Sequence, residues 1–203
     1  MVDIDDILNF WFADAPTLPA ATVERNKFWF EANDEFDRQI WSTFADSLSD
    51  AAAGLYDVWA KDPAGRLALI LLLDQFPRNM FRGTAEVFRH DARALAFARE
   101  GVELGHLADL TIPEAGFFLM PYQHSEDLAI QKAGVELYSK VAAGADDEWR
   151  ELAEGYRDFA IRHYEIIAQF GRFPHRNAVL GRISTPAEEQ FLAAGGDTFG
   201  QAG

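Results

Sequence analysis

Two short stretches hold most of the residues able to do chemistry. Phe170 to Asn177, FGRFPHRN, packs Arg172, His175, Arg176 and Asn177 around Gly171 and Pro174. A shorter echo, Phe76-Pro77-Arg78-Asn79, follows the most apolar stretch of the chain. A third polar segment, His124 to Gln131, adds Glu126 and Asp127. Arginine grips carboxylates and phosphates bidentately, and asparagine can orient them. Arg78, Asn79, Arg172, Arg176 and Asn177 are therefore candidates for a pocket that binds a small anionic molecule or a peptide carboxylate, with His124, Glu126, Asp127, Gln131, His163 and His175 beside them. The competing reading ties the same arginines to Asp74, Glu126 and Asp127, since buried charges need partners.

Other chemistries fit less well. His124, His163 and His175 together with Asp74, Glu126 or Asp127 are the residue types of acid–base work, so a hydrolase using His124 or His163 is one reading. No HExxH spacing or cysteine set calls for a metal, and neither a metal nor a cofactor is expected. Ser125 neighbours His124, but there is no GxSxG elbow, P-loop or GxGxxG. An adaptor that binds a protein partner through a helical groove is the other alternative.

The elements that must position these groups read as helices. Asp3 can cap a first helix to Asp14, and Phe28-Trp29-Phe30 reads as core wedges in a second. Phe36, Ile40, Phe44 and Leu48 give a third stripe. Asp62-Pro63 starts a helix whose Leu67 to Leu73 run is apolar all round and should be central, with Pro77 ending it. Ser125 is the expected cap of a helix to about Ala143, in which Asp127 and Gln131 lie one turn apart. Trp149, Leu152, Tyr156, Phe159, His163, Ile166 and Phe170 form the stripe of a long helix from Asp146, so His163 stands where an apolar residue would be expected. Thr185-Pro186-Ala187-Glu188 opens a short last helix.

Gly101-Val102-Glu103-Leu104 recurs as Gly134-Val135-Glu136-Leu137, an offset of 33 residues. This is close to the tetratricopeptide period of about 34 residues. No segment shows strand alternation. The expected fold is all-α, with antiparallel helical hairpins stacked as a tetratricopeptide-like superhelix in one domain over 1–195 and a frayed polar tail at 196–203.

Composition sets limits. The formal charge is −15, which argues against nucleic acid and anionic membrane surfaces as partners. The chain has no cysteine, so disulfides and thiolate chemistry are excluded. The first residues are acidic before they are apolar, the wrong order for a secretory signal, and no apolar run is long enough to span a bilayer. A cytoplasmic protein is expected. Its oligomeric state is not legible.

Four segments carry a family resemblance: FWF at 10–12, LLLDQFPRNMFRGTA at 71–85, FFLMPYQHSEDLAIQ at 117–131 and FGRFPHRNAVLGRIST at 170–185. Together they resemble a bacterial family known as the domain of unknown function number 924. The resemblance extends over nearly the whole length and implies an all-helical, tetratricopeptide-like fold. It implies no activity, ligand or catalytic residue. The family pattern has an acid just before HSED, where this chain has Gln123.

Overall fold

In the computed structural model, which describes residues 2–31 and 33–200, every regular element is helical. Helix α1, Ile4–Phe12, begins in a reciprocal capping box between Asp3 and Asp6 and buries Ile7, Trp11 and Phe12. Helix α2, Pro19–Phe30, starts on a proline. Helix α3, Asp34–Ala52, is capped by Asn33 and buries the expected stripe of Phe36, Ile40, Phe44 and Leu48.

The centre is helix α4, Pro63–Ile70, capped by Asp62. Leu67 to Leu73 are all fully buried, as an apolar run without a polar face requires. This axis packs against α1, against α3, and against two later helices, α6 (Asp91–Glu103) and α7 (Ile112–Phe118). Aromatic rings seal the junction. Phe117 meets Trp11 edge-on at 5.4 Å and Trp29 at 4.7 Å.

Pro77 does not end this helix. The chain widens into a single π turn at Leu71–Gln75 and continues as α5, Phe76–Met80. In the wider turn the Phe76 N–H reaches the Leu71 carbonyl. Pro77 then falls in the first turn of the new segment, where its missing N–H costs nothing. The Phe76–Asn79 stretch, which includes the proline expected to stop the helix, is itself helical.

Helix α8, Met120–His124, precedes α9, Leu128–Gly144. The cap of α9 is Asp127, whose carboxylate accepts from the Ala129 and Ile130 N–H groups. Ser125 lies two residues before it, and its hydroxyl accepts from the Asp127 N–H. Helix α10, Asp147–Phe170, folds back along α9 and ends at Gly171, whose φ of 70° is one that glycine tolerates best. A 3-10 turn, Pro174–Arg176, and helix α11, Pro186–Ala193, follow, the latter opened by the Thr185–Glu188 capping box.

Three expectations change. The two GVEL copies do not occupy equivalent places: the first ends α6 at Glu103 and the second lies inside α9. Of the aromatic trio, only Trp29 is a core wedge; Phe30 is 52% exposed. The tail expected to fray turns back at 196–200, where Phe199 stacks on His163; residues 201–203 lie outside the described residues. Among the described residues no helix is long and apolar enough to cross a membrane.

Candidate functional site

A cavity of about 860 Å³ opens between α2, α10 and segment 195–200. The α10 stripe of Trp149, Leu152, Tyr156, Phe159 and His163 forms one wall. The polar residues come from three places: Gln75, Arg78 and Asn79 around the π turn, Gln123 and His124 from α8, and His175 and Arg176 from the 3-10 turn.

Asp74 is the hub and is fully buried. Its Oδ1 accepts from Arg78 Nη2 at 3.1 Å and lies 2.8 Å from His124 Nδ1. Arg78 Nη2 also donates to Asp91 Oδ1 at 3.0 Å. Burial pushes the Asp74 carboxyl up, but Arg78 and His124 outweigh it and hold the group below its ordinary value. A carboxylate 2.8 Å from a ring nitrogen requires a proton there, so His124 Nδ1 donates to Asp74. Arg78 Nε, 3.3 Å from the same nitrogen, is then a neighbour and not a donor to it. The lone pair of neutral His124 sits on Nε2. His163 follows the same logic, because its Nδ1 is 2.8 Å from the Phe159 carbonyl, which can only accept. The two rings are 6.4 Å apart. Each neutral imidazole thus keeps an acceptor on Nε2 in the cavity wall.

Arg176 differs from the other arginines. It is 6% exposed. Its Nη1 donates to the His124 carbonyl at 3.0 Å, but its nearest carboxylate oxygen, on Asp91, is 4.0 Å away. The guanidinium lies between the rings of Phe88 and Phe173, 4.5 and 4.4 Å from their centroids. Its Nε is buried without a partner, as is Arg78 Nη1. Burial, and then the neighbouring Arg78, push Arg176 down to about 10.

Of the candidates read from the sequence, Arg78, Asn79, His124, His163, His175 and Arg176 come together in the cavity wall. Asn79 is also held there by Asp37. The others are engaged elsewhere. Glu126 accepts from the Phe173 N–H and from Arg182, which fixes the 3-10 turn from behind. Arg172 is paired with Glu188, and Asn177 donates to Ser184. Gln131 donates to the Gln123 and Ser125 carbonyls, and Asp127 caps α9. These five support the fold and do not line the cavity.

The sequence reading missed Asp91, Gln123, Tyr156 and Phe199. Asp91 opens α6 like many helix-start acids, so nothing local marks it. Gln123, buried on α8, brings an amide to the cavity. Among the described residues no cluster of three or more histidine, cysteine or acidic side chains is arranged to hold a metal.

The burial of three neutral imidazoles sets a pH dependence. Burial lowers His124 and takes His163 well below its ordinary value; burial and then Arg176 push His175 down to about 3. Below the ordinary histidine value of about 6.5, the unfolded chain binds protons that the folded chain refuses, so stability falls as pH falls. Asp74, also lowered, adds to the loss in stronger acid, whereas Asp91, raised by burial, opposes it. Each refused proton steepens the slope by up to about 1.4 kcal/mol per pH unit. His163→Leu should flatten the slope by about that amount in urea unfolding at about pH 7, 6 and 5. Unchanged stability and unchanged ligand response in this variant would remove both a packing and a binding role for His163.

The fold is all-helical, and its partly open cavity is lined by Arg78, Arg176 and three histidines among other residues. The chain belongs to the DUF924 family of bacterial proteins of unknown function, whose sequence profile matches residues 7–196. A solved structure of a protein of unknown function from Agrobacterium tumefaciens is similar, with 36% identity and a TM-score of 0.79 over 94% of this chain and 97% of that one. A comparison with curated proteins finds no match.

Proposed function

We propose that the cavity binds a small carboxylate or another compact anion, with Arg176 as its main counterion. One observation carries this reading: a buried guanidinium lines a cavity and has no carboxylate within hydrogen-bond distance. A buried charge without a directly bonded counterion is costly, and an incoming anion would supply one. Arg78 is set between Asp74 and Asp91, so with Arg176 the polar cluster holds two guanidinium groups and two carboxylates and carries no net charge. That balance favours a monoanion over a dianionic phosphate.

The test is a thermal melt of Arg176→Met with and without ligand panels of phosphate, nucleotides and carboxylic acids. Because folding depresses the arginine's proton affinity, its charge weakens the native state at neutral pH. The methionine variant should therefore melt at or above wild type. Wild type at a ligand concentration a hundred times Kd should gain about 2.7 kcal/mol, roughly 5–10 °C, and the variant nothing. A loss of about 3–5 kcal/mol in the ligand-free variant would mean that Arg176 is matched within the protein.

The Asp74–His124 contact supports a second reading, hydrolysis with His124 as general base. Turnover of ester probes no faster in wild type than in His124→Gln would remove it. An adaptor role has less support, since the distinctive polar residues converge on a closed-in cavity and not on an open groove. A tetratricopeptide-like stacking of hairpins, for which the α9–α10 pair speaks, and a cytoplasmic location belong to the same proposal.

A further inference from the structure

Segment 195–200 fills part of the cavity with the chain's own side chain. Gly195 and Gly196 turn the backbone off α11, and a β-carbon at Gly196 would stand 2.4 Å from the Phe191 ring. Phe199 then enters the cavity with a φ of 52°, a backbone region that bulky residues adopt only under constraint. Its ring lies parallel to His163, with centroids 3.5 Å apart and planes 14° apart. Phe173 meets it edge-on at 6.4 Å, His175 is 6.1 Å away, and Phe159 closes the far side at 6.5 Å. Four aromatic or imidazole rings thus make a slot for a flat ring. The segment's ionic tie is weak: Asp197 reaches Arg162 at 3.3 Å, and both side chains are 42% exposed. On its other side, Phe173 is the ring that lies against the Arg176 guanidinium. The slot and the cation that lacks a hydrogen-bonded carboxylate are therefore neighbours sharing one wall.

We propose that Phe199 marks a subsite for a planar aromatic group, and that the cavity takes an aryl-bearing monocarboxylate whose ring displaces Phe199 while its carboxylate meets Arg176. This rests on the anion reading of Arg176 given above and adds the chemical class of the ligand. The ring slot supplies most of the selectivity, because a flat group regains the stack on His163 that Phe199 gives up. The backbone strain at residue 199 and the flanking glycines make that exchange easy, since the displaced segment relaxes to an ordinary conformation.

Calorimetric titration of the full chain with propionate and 3-phenylpropionate tests this. In wild type, 3-phenylpropionate should bind at least about tenfold tighter than propionate, from burial of the phenyl group. Phe199→Gly, which removes the competing ring and suits the positive φ, should tighten 3-phenylpropionate by about three- to tenfold and propionate by less than about twofold. Arg176→Met should abolish binding of both acids. Equal affinities for the two acids, or no gain for 3-phenylpropionate in Phe199→Gly, would overturn the aromatic subsite while propionate binding lost in Arg176→Met keeps the anion site. Failure of both acids to bind wild type and Phe199→Gly alike would overturn both proposals.

Discussion

Asp74→Ala is expected to destabilise the protein by about 3–5 kcal/mol. The carboxylate is fully buried and is the point at which Arg78, His124 and Gln75 meet. Without it, Arg78 keeps Asp91 as its only counterion, and His124 Nδ1 loses its acceptor in a buried setting. A buried ion pair adds little net stability compared with an apolar core. Removing one partner alone is what costs, because the other is left charged and dry. Asp74→Asn keeps an acceptor for one neighbour and should recover part of the loss. Urea unfolding of the three proteins at neutral pH measures both steps. A loss under about 1 kcal/mol for the alanine variant would show that Asp91 alone compensates Arg78.

Gly65→Ala should cost about 2–3 kcal/mol, although alanine is the better helix former by about 1 kcal/mol. The added β-carbon would stand 2.2 Å from the Trp59 carbonyl oxygen and 2.9 Å from its carbon, both backbone atoms. The 3-10 turn Asp57–Lys61 would have to move. That turn is pinned by Arg66, which is 2% exposed and donates to the Ala60 carbonyl at 2.7 Å. Relief of the clash therefore breaks a buried hydrogen bond. Gly144→Ala is the control, as nothing lies near its β-carbon position. Thermal melts of the two variants should separate by several degrees.

Helices and their order were legible because periodicity and capping chemistry are local. The Asp3, Asp62 and Thr185 starts appear where their side chains indicate. Pro77 misled because a proline stops an α-helix but not one that first widens by a residue, and no side-chain pattern signals that widening. Half of the pocket was legible for a different reason. Arg78, His124, His163 and Arg176 are polar groups attached to otherwise buried elements, so they had to converge. Arg172 and Asn177 have the same residue types but point away, toward Glu188 and Ser184. Which side of a turn faces the core is set by long-range packing. Asp91 and Phe199 were invisible because one resembles any helix-start acid and the other lies among glycines.

The widened turn at Leu71–Gln75 sets the aim of the buried carboxylate it carries. It amounts to one surplus amino acid looped into a rod that would otherwise be uniform. Each residue of an ordinary helix advances by about 100°, and the looped residue absorbs one such step, so excising one leucine there would let the rod close up as a regular helix with its two flanks left in place. Asp74, inside the widened turn, would then lose its aim at the imidazole, while Arg78 beyond it would stay. The apolar interior tolerates several aliphatic choices at these positions, but the aim of Asp74 depends on how many there are.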